Sequence, residues 1–302
     1  MNGRGRGRSN SRGGGRGGRG RDDARSSKQD RKGIRRAKQL ETMEKKAAEE
    51  DRYFRQCQKE ASLGKKQNLD SKEDLFGKQG SQGINFAKYD AIKVEVKPPS
   101  DGDTLPPAMT SFQDLTTALP PQLQKNIELM NYKIPTPIQK HAIPLAMQKH
   151  DLMCCAQTGS GKTCAFLLPV CASLTSASVP SLDLESHHMQ PATPLCVVLA
   201  PTRELALQIQ LEARKLTYSM SHDIASVCVY GGANPRSQLK ELATYCNNKA
   251  SNAALVVVAT PGRLTDFVDR SIISLAHVQY LILDEADRML DMGFEVRRAG
   301  FN

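Results

Sequence analysis

Short apolar runs alternate with amphipathic stretches from about residue 109 onwards. The apolar runs predict five strands, at residues 152–156, 195–200, 224–230, 254–259 and 280–284. Stretches with apolar residues three or four apart predict helices at residues 137–147, 162–174, 203–219, 235–246 and 261–269. Strands that are apolar along their whole length are typical of a parallel sheet covered by helices on both faces. The sequence therefore predicts a doubly wound α/β domain over residues 109–302, with ligands beyond the carboxyl ends of its strands.

The first 36 residues show neither pattern. They are mostly Arg and Gly at the start, with almost nothing apolar to bury, which predicts a disordered tail. Guanidinium groups pair with phosphates and stack on bases, so an RNA-binding arm is the favoured interpretation. A tail that only keeps the protein in solution is the alternative.

Residues 37–108 separate this tail from the predicted domain. Helix formers and mixed charges up to about residue 60 predict a charged helix, with apolar residues too sparse for a coiled-coil seam. A solvated helix and a segment that binds a protein partner both remain open. The polar stretch that follows contains Pro98-Pro99 and Pro106-Pro107 and predicts a linker.

Charge and cysteine content narrow the classes of protein further. Residues 1–36 hold 13 Lys and Arg against 3 Asp, so they carry the whole net charge of +10. The eight cysteines show no C-x-x-C spacing, which favours a reducing compartment, and we expect a cytoplasmic location with a nuclear one left open. His187 and His188 lack partner ligands at metal spacing, so a metal role there is not favoured. No apolar run approaches the length needed to span a bilayer, so we expect no membrane partner.

A glycine loop follows the first predicted strand and leads directly into a predicted helix. Its glycines let successive backbone N–H groups converge on phosphate oxygens, and the start of the helix adds a positive dipole end. Lys162 is expected to reach the β and γ phosphates, and the Thr163 hydroxyl to bind Mg²⁺. The strict pattern has Gly where this chain has Ala156. The predicted phosphate loop consists of Ala156, Gln157, Thr158, Gly159, Ser160, Gly161, Lys162 and Thr163.

Two carboxylates follow the last predicted strand. Asp284 is expected to hold Mg²⁺, generally through water, and Glu285 to orient or deprotonate the attacking water. A helix start whose acidic residues complement the helix dipole is the alternative interpretation. With the phosphate loop, this pair predicts a catalytic set of Lys162, Asp284 and Glu285, with ATP and Mg²⁺ as ligands.

The chain from about Phe112 to Glu295 resembles the first RecA-like domain of a DEAD-box ATP-dependent RNA helicase, within the Ded1/Vasa-like branch that carries Arg/Gly-rich tails. Residues 132–139 resemble the family's Q motif. The resemblance implies that the Gln139 amide reads adenine, that Tyr132 packs beside the base, and that Phe112 is the upstream aromatic. An amide that bonds to both edges of adenine would explain a preference for ATP over GTP.

Three further segments resemble the RNA-facing motifs of the same family. The resemblance implies sequence-independent contacts with the phosphates of one RNA strand, through helix amides, Thr hydroxyls and Arg side chains. Without the family resemblance, the pattern of these segments indicates turns and helix caps. The implied RNA-binding residues are Pro201, Thr202, Arg203, Gly231, Gly232, Thr260, Pro261, Gly262 and Arg263.

The family pattern continues beyond the point where this chain stops. A Ser-Ala-Thr motif and a second RecA-like domain are implied by the resemblance and are not in the sequence, so we expect a C-terminally truncated domain with an unpaired sheet centre and little activity by itself. The leading function is an ATP-dependent RNA helicase. A non-catalytic RNA-binding or annealing protein that uses the Arg/Gly tail is the alternative. A metabolic P-loop kinase would leave the Gln139 segment unexplained.

Overall fold

The computed structural model describes residues 19–62, 71–77, 93–98, 104–177, 190–246 and 253–294, with side chains of the first helix from residue 32. The chain divides into two compact units, residues 1–49 and residues 50–302. The predicted α/β domain lies in the second unit.

In the described part of the chain, several helices precede the first strand, and strands and helices then alternate. The helices are α1 (Arg19–Ser62), α2 (Lys72–Phe76), α3 (Pro121–Leu129), α4 (Pro137–Met147), α5 (Lys162–Leu174), α6 (Arg203–Leu216), α7 (Arg236–Ala243), α8 (Pro261–Asp269) and α9 (Ala286–Asp291), and a 3₁₀ turn covers Phe112–Leu115. The strands are β1 (Cys196–Leu199), β2 (Ile224–Val229), β3 (Ala254–Ala259) and β4 (Tyr280–Leu283).

The four strands form one parallel sheet in the order β2-β3-β1-β4. β1 lies in register with both neighbours, since Cys196 faces Val256 on one side and Tyr280 on the other. Parallel strands joined by helices place all their carboxyl ends at one edge of the sheet. The predicted doubly wound α/β architecture is confirmed.

Successive strand residues pack on opposite faces of this sheet. Cys196 and Val198 belong to an apolar cluster formed with α3 to α6, whereas Val197 and Leu199 belong to a second cluster formed with α7 and α8. This alternation follows from the two-residue period of a strand. Because both faces are covered, β1, β2 and β3 are buried along their whole length.

The strand predicted at residues 152–156 is not formed, which corrects the sequence prediction. A strand is stable only when its backbone groups are paired, and none of the described strands lies beside this segment. Its apolar side chains are consequently exposed, Met153 at 94%. β4 is an edge strand of the described sheet, and its Leu281 and Leu283 are each 38% exposed. The phosphate loop therefore follows an extended, unpaired segment.

Helix α1 begins inside the segment that the sequence predicted to be disordered. It starts at Arg19, whereas residues 1–18 lie outside the described residues. Between Arg21 and Lys32 glycine is absent and Arg and Lys recur, with Ala24 and Gln29 among them, and these residues favour a helix. The structure thus describes residues 19–36 as part of α1, and the extent of the disordered tail stays a prediction.

The end of α1 belongs to the α/β unit, which begins at Glu50 although the sequence placed the start of the compact domain near Met109. Phe54 is fully buried against β1, β2, β3, α7 and α8. Arg270, just after α8, forms ion pairs with Glu50 at 2.9 Å and Asp51 at 2.6 Å. Gln58 donates to the carbonyl of Gln190 at 2.6 Å. One buried aromatic and one charge cluster thus attach this segment to the sheet.

Among the described helices, none combines the length and the apolar character that a membrane span requires. The described residues also contain no cluster of three or more His, Cys, Asp and Glu side chains that could hold a metal ion. His187 and His188 lie outside the described residues.

Candidate nucleotide and RNA sites

The phosphate loop turns sharply through two glycines with positive φ, Gly159 at 77° and Gly161 at 88°. Residues with a Cβ rarely adopt this backbone conformation. Gly161 caps α5, which begins at Lys162, so the backbone N–H groups at the helix start face the loop. Thr163 lies half-buried in the first turn of α5, whereas Gln157 and Thr158 are exposed. The local geometry is that of an anion-binding helix start.

Lys162 folds back across this loop. Its Nζ donates to the carbonyl oxygen of Gln157 at 3.0 Å and to that of Ala156. The ammonium group therefore lies over the loop between its own backbone carbonyls.

Gln139 joins the start of α4 to the phosphate loop. Its Oε1 accepts a hydrogen bond from the Thr136 N–H at 2.9 Å, and its Nε2 donates to the carbonyl of Gly161 at 3.1 Å. A Cβ on Gly161 would lie 2.5 Å from Nε2, so this close approach requires glycine. Gln139 is only 3% exposed. The structure thus places Gln139 against the loop, as a brace between two segments 22 residues apart.

The predicted metal carboxylate lies directly beyond β4. Asp284 is 8% exposed, its N–H donates to the carbonyl of Leu199 at 3.0 Å, and its Oδ1 accepts from the Glu285 N–H at 3.1 Å. Glu285 has φ 51° and stands at the start of α9, where it pairs with Arg288 at 3.0 Å. A left-handed conformation in a non-glycine residue is strained, and such strain is frequent at functional sites.

Lys162 and Asp284 interact across the site. Burial raises the pKa of Asp284 above its usual range, and the positive charge of Lys162 and the Glu285 N–H partly offset that rise. The phosphate-loop lysine and the carboxylate that follows β4 therefore lie close enough to influence each other. Sequence reasoning could not establish this pairing, because 121 positions separate the two residues.

A hydroxyl group beside the loop tests whether the site suits a phosphate and a divalent cation. The Oγ of Ser160 is buried and has no hydrogen-bond partner among the residues that the structure describes. A buried hydroxyl without a partner is costly unless a ligand supplies one. With Thr163 and Asp284 as oxygen donors, the residue types fit a magnesium-bound phosphate. They are hard oxygen ligands, which Mg²⁺ prefers.

The two predicted aromatic residues lie together. Phe112 and Tyr132 stack with ring centroids 5.9 Å apart and planes inclined by 16°. They line a cavity of about 330 Å³, whose lining does not include Gln139. The Tyr132 hydroxyl donates to Glu212 on α6. Burial raises the pKa of Tyr132, and the nearby Cys164 and Glu212 raise it further. Phe112 and Tyr132 are therefore brought together, but the Gln139 amide faces the phosphate loop instead of this cavity.

The three predicted RNA-facing segments meet at the carboxyl edge of the sheet. The Gly231 N–H donates to the Thr260 hydroxyl at 3.2 Å, and the Thr260 N–H donates to the carbonyl of Val229 at 3.0 Å. Thr202 caps α6 by accepting from the Leu205 N–H at 3.3 Å. The Gly231-Gly232 turn, in which Gly232 has φ 75°, thus contacts the start of α8.

The two arginines of these segments differ in exposure. Arg203 is exposed, and its guanidinium carbon lies 4.8 Å from the centroid of the Tyr230 ring. The Arg263 side chain is only 13% exposed and folds over Phe267 at 5.2 Å, with Asp266 3.8 Å away. Its Nη1 is buried and has no hydrogen-bond partner in the described part of the chain. Pro201 is buried, Pro261 half-buried and Gly262 exposed. Of the two arginines, Arg203 presents its charge to solvent.

Sequence reasoning missed Gln238, which fixes the loop between β2 and α7. Its Oε1 accepts from the Tyr230 N–H at 3.1 Å, and its Nε2 donates to the Tyr230 carbonyl at 3.2 Å. A signal was present, because Gln238 is the polar member of the buried α7 face that includes Leu239 and Leu242. A polar residue within an apolar helix face requires a buried partner. For Glu212, which accepts a hydrogen bond from the Tyr132 hydroxyl, the sequence pattern contains no comparable indication.

These features define a RecA-like P-loop domain, with a phosphate loop and a carboxylate beyond the strands of one parallel sheet. Comparison with known proteins identifies the family. Residues 136–299 match the DEAD/DEAH box helicase family, and the chain belongs to it. It is similar to the RNA helicase Prp28 from Chaetomium thermophilum, whose crystal structure was solved bound to ADP, with 36% identity and a TM-score of 0.52. The match covers 66% of this chain and 44% of that chain. Assignment to the Ded1/Vasa-like branch stays a prediction.

Proposed function

We propose that this chain binds ATP with Mg²⁺ and single-stranded RNA, and that it acts as the ATP-binding domain of an ATP-dependent RNA helicase. The observation that carries the proposal is the geometry of the phosphate loop, in which Gly159 and Gly161 turn the backbone at positive φ directly before α5 begins at Lys162. The influence of the Lys162 charge on the pKa of Asp284 supports it. Membership of the helicase family and the similarity to a helicase bound to ADP support the same reading.

Different residues around the loop bind the phosphates, hold the metal and orient the attacking water. Lys162 leaves the carbonyls of Ala156 and Gln157 and donates to phosphate oxygens instead. Thr163 and Asp284 would hold Mg²⁺, which would neutralise charge on the phosphates. Glu285 orients the attacking water and accepts its proton. Its strained backbone at the start of α9 fixes the carboxylate close to Asp284.

The base is recognised at the other end of the same site. The remaining donor and acceptor of the Gln139 amide read the adenine edge beside the phosphate loop, and the stacked pair of Phe112 and Tyr132 offers an aromatic surface that the amide does not face in this structure. Since Gln139 already bonds to Gly161, a change at the base would reach the phosphate loop through one side chain.

RNA binds along the carboxyl edge formed by the three loops after β1, β2 and β3. The α6 start, the Gly231-Gly232 turn and the α8 start present N–H groups, hydroxyls and Arg203 side by side. Contacts of this kind hold the sugar-phosphate backbone without reading sequence. The Arg/Gly-rich residues 1–36 add electrostatic affinity for RNA, and the charged helix that ends at about residue 60 is the candidate surface for protein partners. We infer a cytoplasmic location from the cysteine usage.

Lys162→Ala tests the proposal against the alternative of a non-catalytic RNA-binding protein. Lys162→Ala should weaken the binding of a fluorescent ATP analogue at least about tenfold, because a charged hydrogen-bond partner of the phosphates is lost. Lys149→Ala, an exposed lysine after α4, is the matched control.

RNA affinity measured on the same proteins separates the two functions. The helicase proposal predicts ATP binding that depends on Lys162 together with RNA binding. RNA binding with ATP affinity unaffected by Lys162→Ala would contradict it and favour annealing by the Arg/Gly tail. The expectation that the 302-residue chain alone unwinds RNA poorly stays a prediction.

A further inference from the structure

Tyr230 connects two of the loops at the carboxyl edge of the sheet. It is the residue after β2, and the guanidinium of Arg203, at the start of α6, lies 4.8 Å from its ring centroid. The next residue, Gly231, donates its N–H to the Thr260 hydroxyl at the start of α8. Tyr230 therefore stands between the starts of two helices.

The backbone of Tyr230 is held by a buried amide. Gln238 is 4% exposed, and it bonds to both the N–H and the carbonyl of Tyr230. Two parallel hydrogen bonds from one amide fix the orientation of the peptide groups as well as their position. The Tyr230 ring, half-buried against the core, is consequently a rigid surface beneath an exposed arginine.

A rigid aromatic surface limits the conformations that the Arg203 side chain adopts. A free arginine loses considerable rotamer freedom whenever it binds a phosphate. Stacking on an aromatic ring keeps the guanidinium plane in one orientation and leaves its edge N–H groups available for hydrogen bonds. Arg203 then meets a phosphate with less entropy to lose.

We propose that Tyr230 is a positioning residue for RNA binding, which holds the Arg203 guanidinium towards the phosphates of a single strand, and that Gln238 in turn fixes Tyr230. The inference rests on the proposed function, because it assumes that RNA occupies this edge. It adds a role for two residues that the sequence did not single out.

A double-mutant cycle tests this role. The proteins are the complete 302-residue chain, Arg203→Ala, Tyr230→Leu and the combined variant, with Tyr230→Phe as the matched control that keeps the ring. Each is titrated with a short single-stranded oligouridylate over a series of salt concentrations. Cross-linking of a thiouridine-containing oligonucleotide to the loops after β1, β2 and β3 gives a local readout that the N-terminal tail does not dominate.

Tyr230→Leu should weaken RNA binding about two- to fivefold, as expected for an exposed cation–π contact. It should also reduce the salt dependence by up to about 0.7 in the logarithmic slope, the value of one phosphate contact with a single strand. Tyr230→Phe should bind like the unmodified chain. The combined variant should be no weaker than Arg203→Ala, because Tyr230 acts through Arg203.

Three results overturn the inference, and one of them also overturns its premise. If Arg203→Ala weakens binding and Tyr230→Leu does not, Tyr230 has no positioning role. If the two losses add, Tyr230 acts by a route other than Arg203. If Arg203→Ala itself changes neither affinity nor cross-linking, RNA does not bind at this edge, and the proposed function fails there. Thermal melting monitors folding, and Tyr230→Met replaces Tyr230→Leu if that variant does not fold.

Discussion

At the scale of single residues, Asp284 carries an energetic cost that its proposed role explains. A carboxylate that is 8% exposed is desolvated, and burial raises its pKa despite the charge of Lys162. Buried charges persist where a ligand or a reaction needs them. A bound divalent cation would favour the ionised form.

Asp284→Asn should therefore stabilise the folded chain at neutral pH. The raised pKa means that the folded chain binds the Asp284 proton more tightly than the unfolded chain does, so ionisation costs stability as the pH rises through the folded-state pKa. Asparagine keeps an oxygen for the Glu285 N–H and cannot ionise. The gain in melting temperature should be present at about pH 7 and fade below about pH 4.

Asp287→Asn is the control for this effect, because Asp287 is an exposed carboxylate on the same segment. Thermal melting over a pH series measures both variants. A melting temperature of Asp284→Asn that falls below that of the unmodified chain at neutral pH would contradict a desolvated Asp284.

At the scale of elements, the helices were predictable where the chain marks their ends chemically. α4 and α8 begin at prolines, α5 begins after Gly161, and all three were predicted with the bounds that the structure has. The three buried strands followed from uninterrupted apolar runs. α3 was missed, because nine mostly polar residues carry a weak periodic signal.

The prediction of a strand at residues 152–156 was wrong for a different reason. Its sequence is apolar enough for a strand, but strand formation depends on a neighbour that sequence periodicity cannot identify. Periodicity also could not predict two contacts that tertiary packing creates. These are the hydrogen bond from Gln139 to Gly161 and the stacking of Phe112 on Tyr132. The family resemblance identified the residues of the site, whereas the structure showed which of these residues are in contact.

The unpaired state of residues 152–156 predicts a pattern of thiol reactivity. Cys154 and Cys155 are exposed, whereas Cys171 and Cys196 are buried, and burial raises the pKa of Cys171 to about 12. The thiolate is the reactive form, so an alkylating reagent should modify Cys154 and Cys155 well before the two buried cysteines. Peptide mass spectrometry over a labelling time course measures the order. Labelling of Cys154 and Cys155 as slow as that of Cys171 would show that the segment is paired in a sheet.

At the scale of the whole molecule, the compact unit is larger than the α/β pattern alone. The end of α1 adds a layer through Phe54 and the ion pairs of Arg270 with Glu50 and Asp51. The side chains around Arg270 are partly buried, which makes them more effective than exposed ion pairs. The sequence could not reveal this packing, because a few apolar residues in a charged helix fit a solvated helix equally well.

Phe54→Ala should destabilise the unit of residues 50–302 by about 3–5 kcal/mol, the usual cost of removing a fully buried aromatic side chain. Leu40→Ala is the matched control on the same helix, since Leu40 is exposed and its loss should change stability by less than about 0.5 kcal/mol. Chemical denaturation measures both. Equal stability of the two variants would mean that the end of α1 does not pack on the sheet.

The central claim is that Lys162, Thr163 and Asp284 meet around one magnesium-bound triphosphate. The most direct measurement is the affinity for ATP with and without Mg²⁺, for the unmodified chain, Thr163→Ala, Asp284→Asn and Asp287→Asn. We expect Mg²⁺ to strengthen ATP binding in the unmodified chain and in Asp287→Asn, and Thr163→Ala and Asp284→Asn each to lose most of this gain. A full magnesium effect in Asp284→Asn would contradict the central claim.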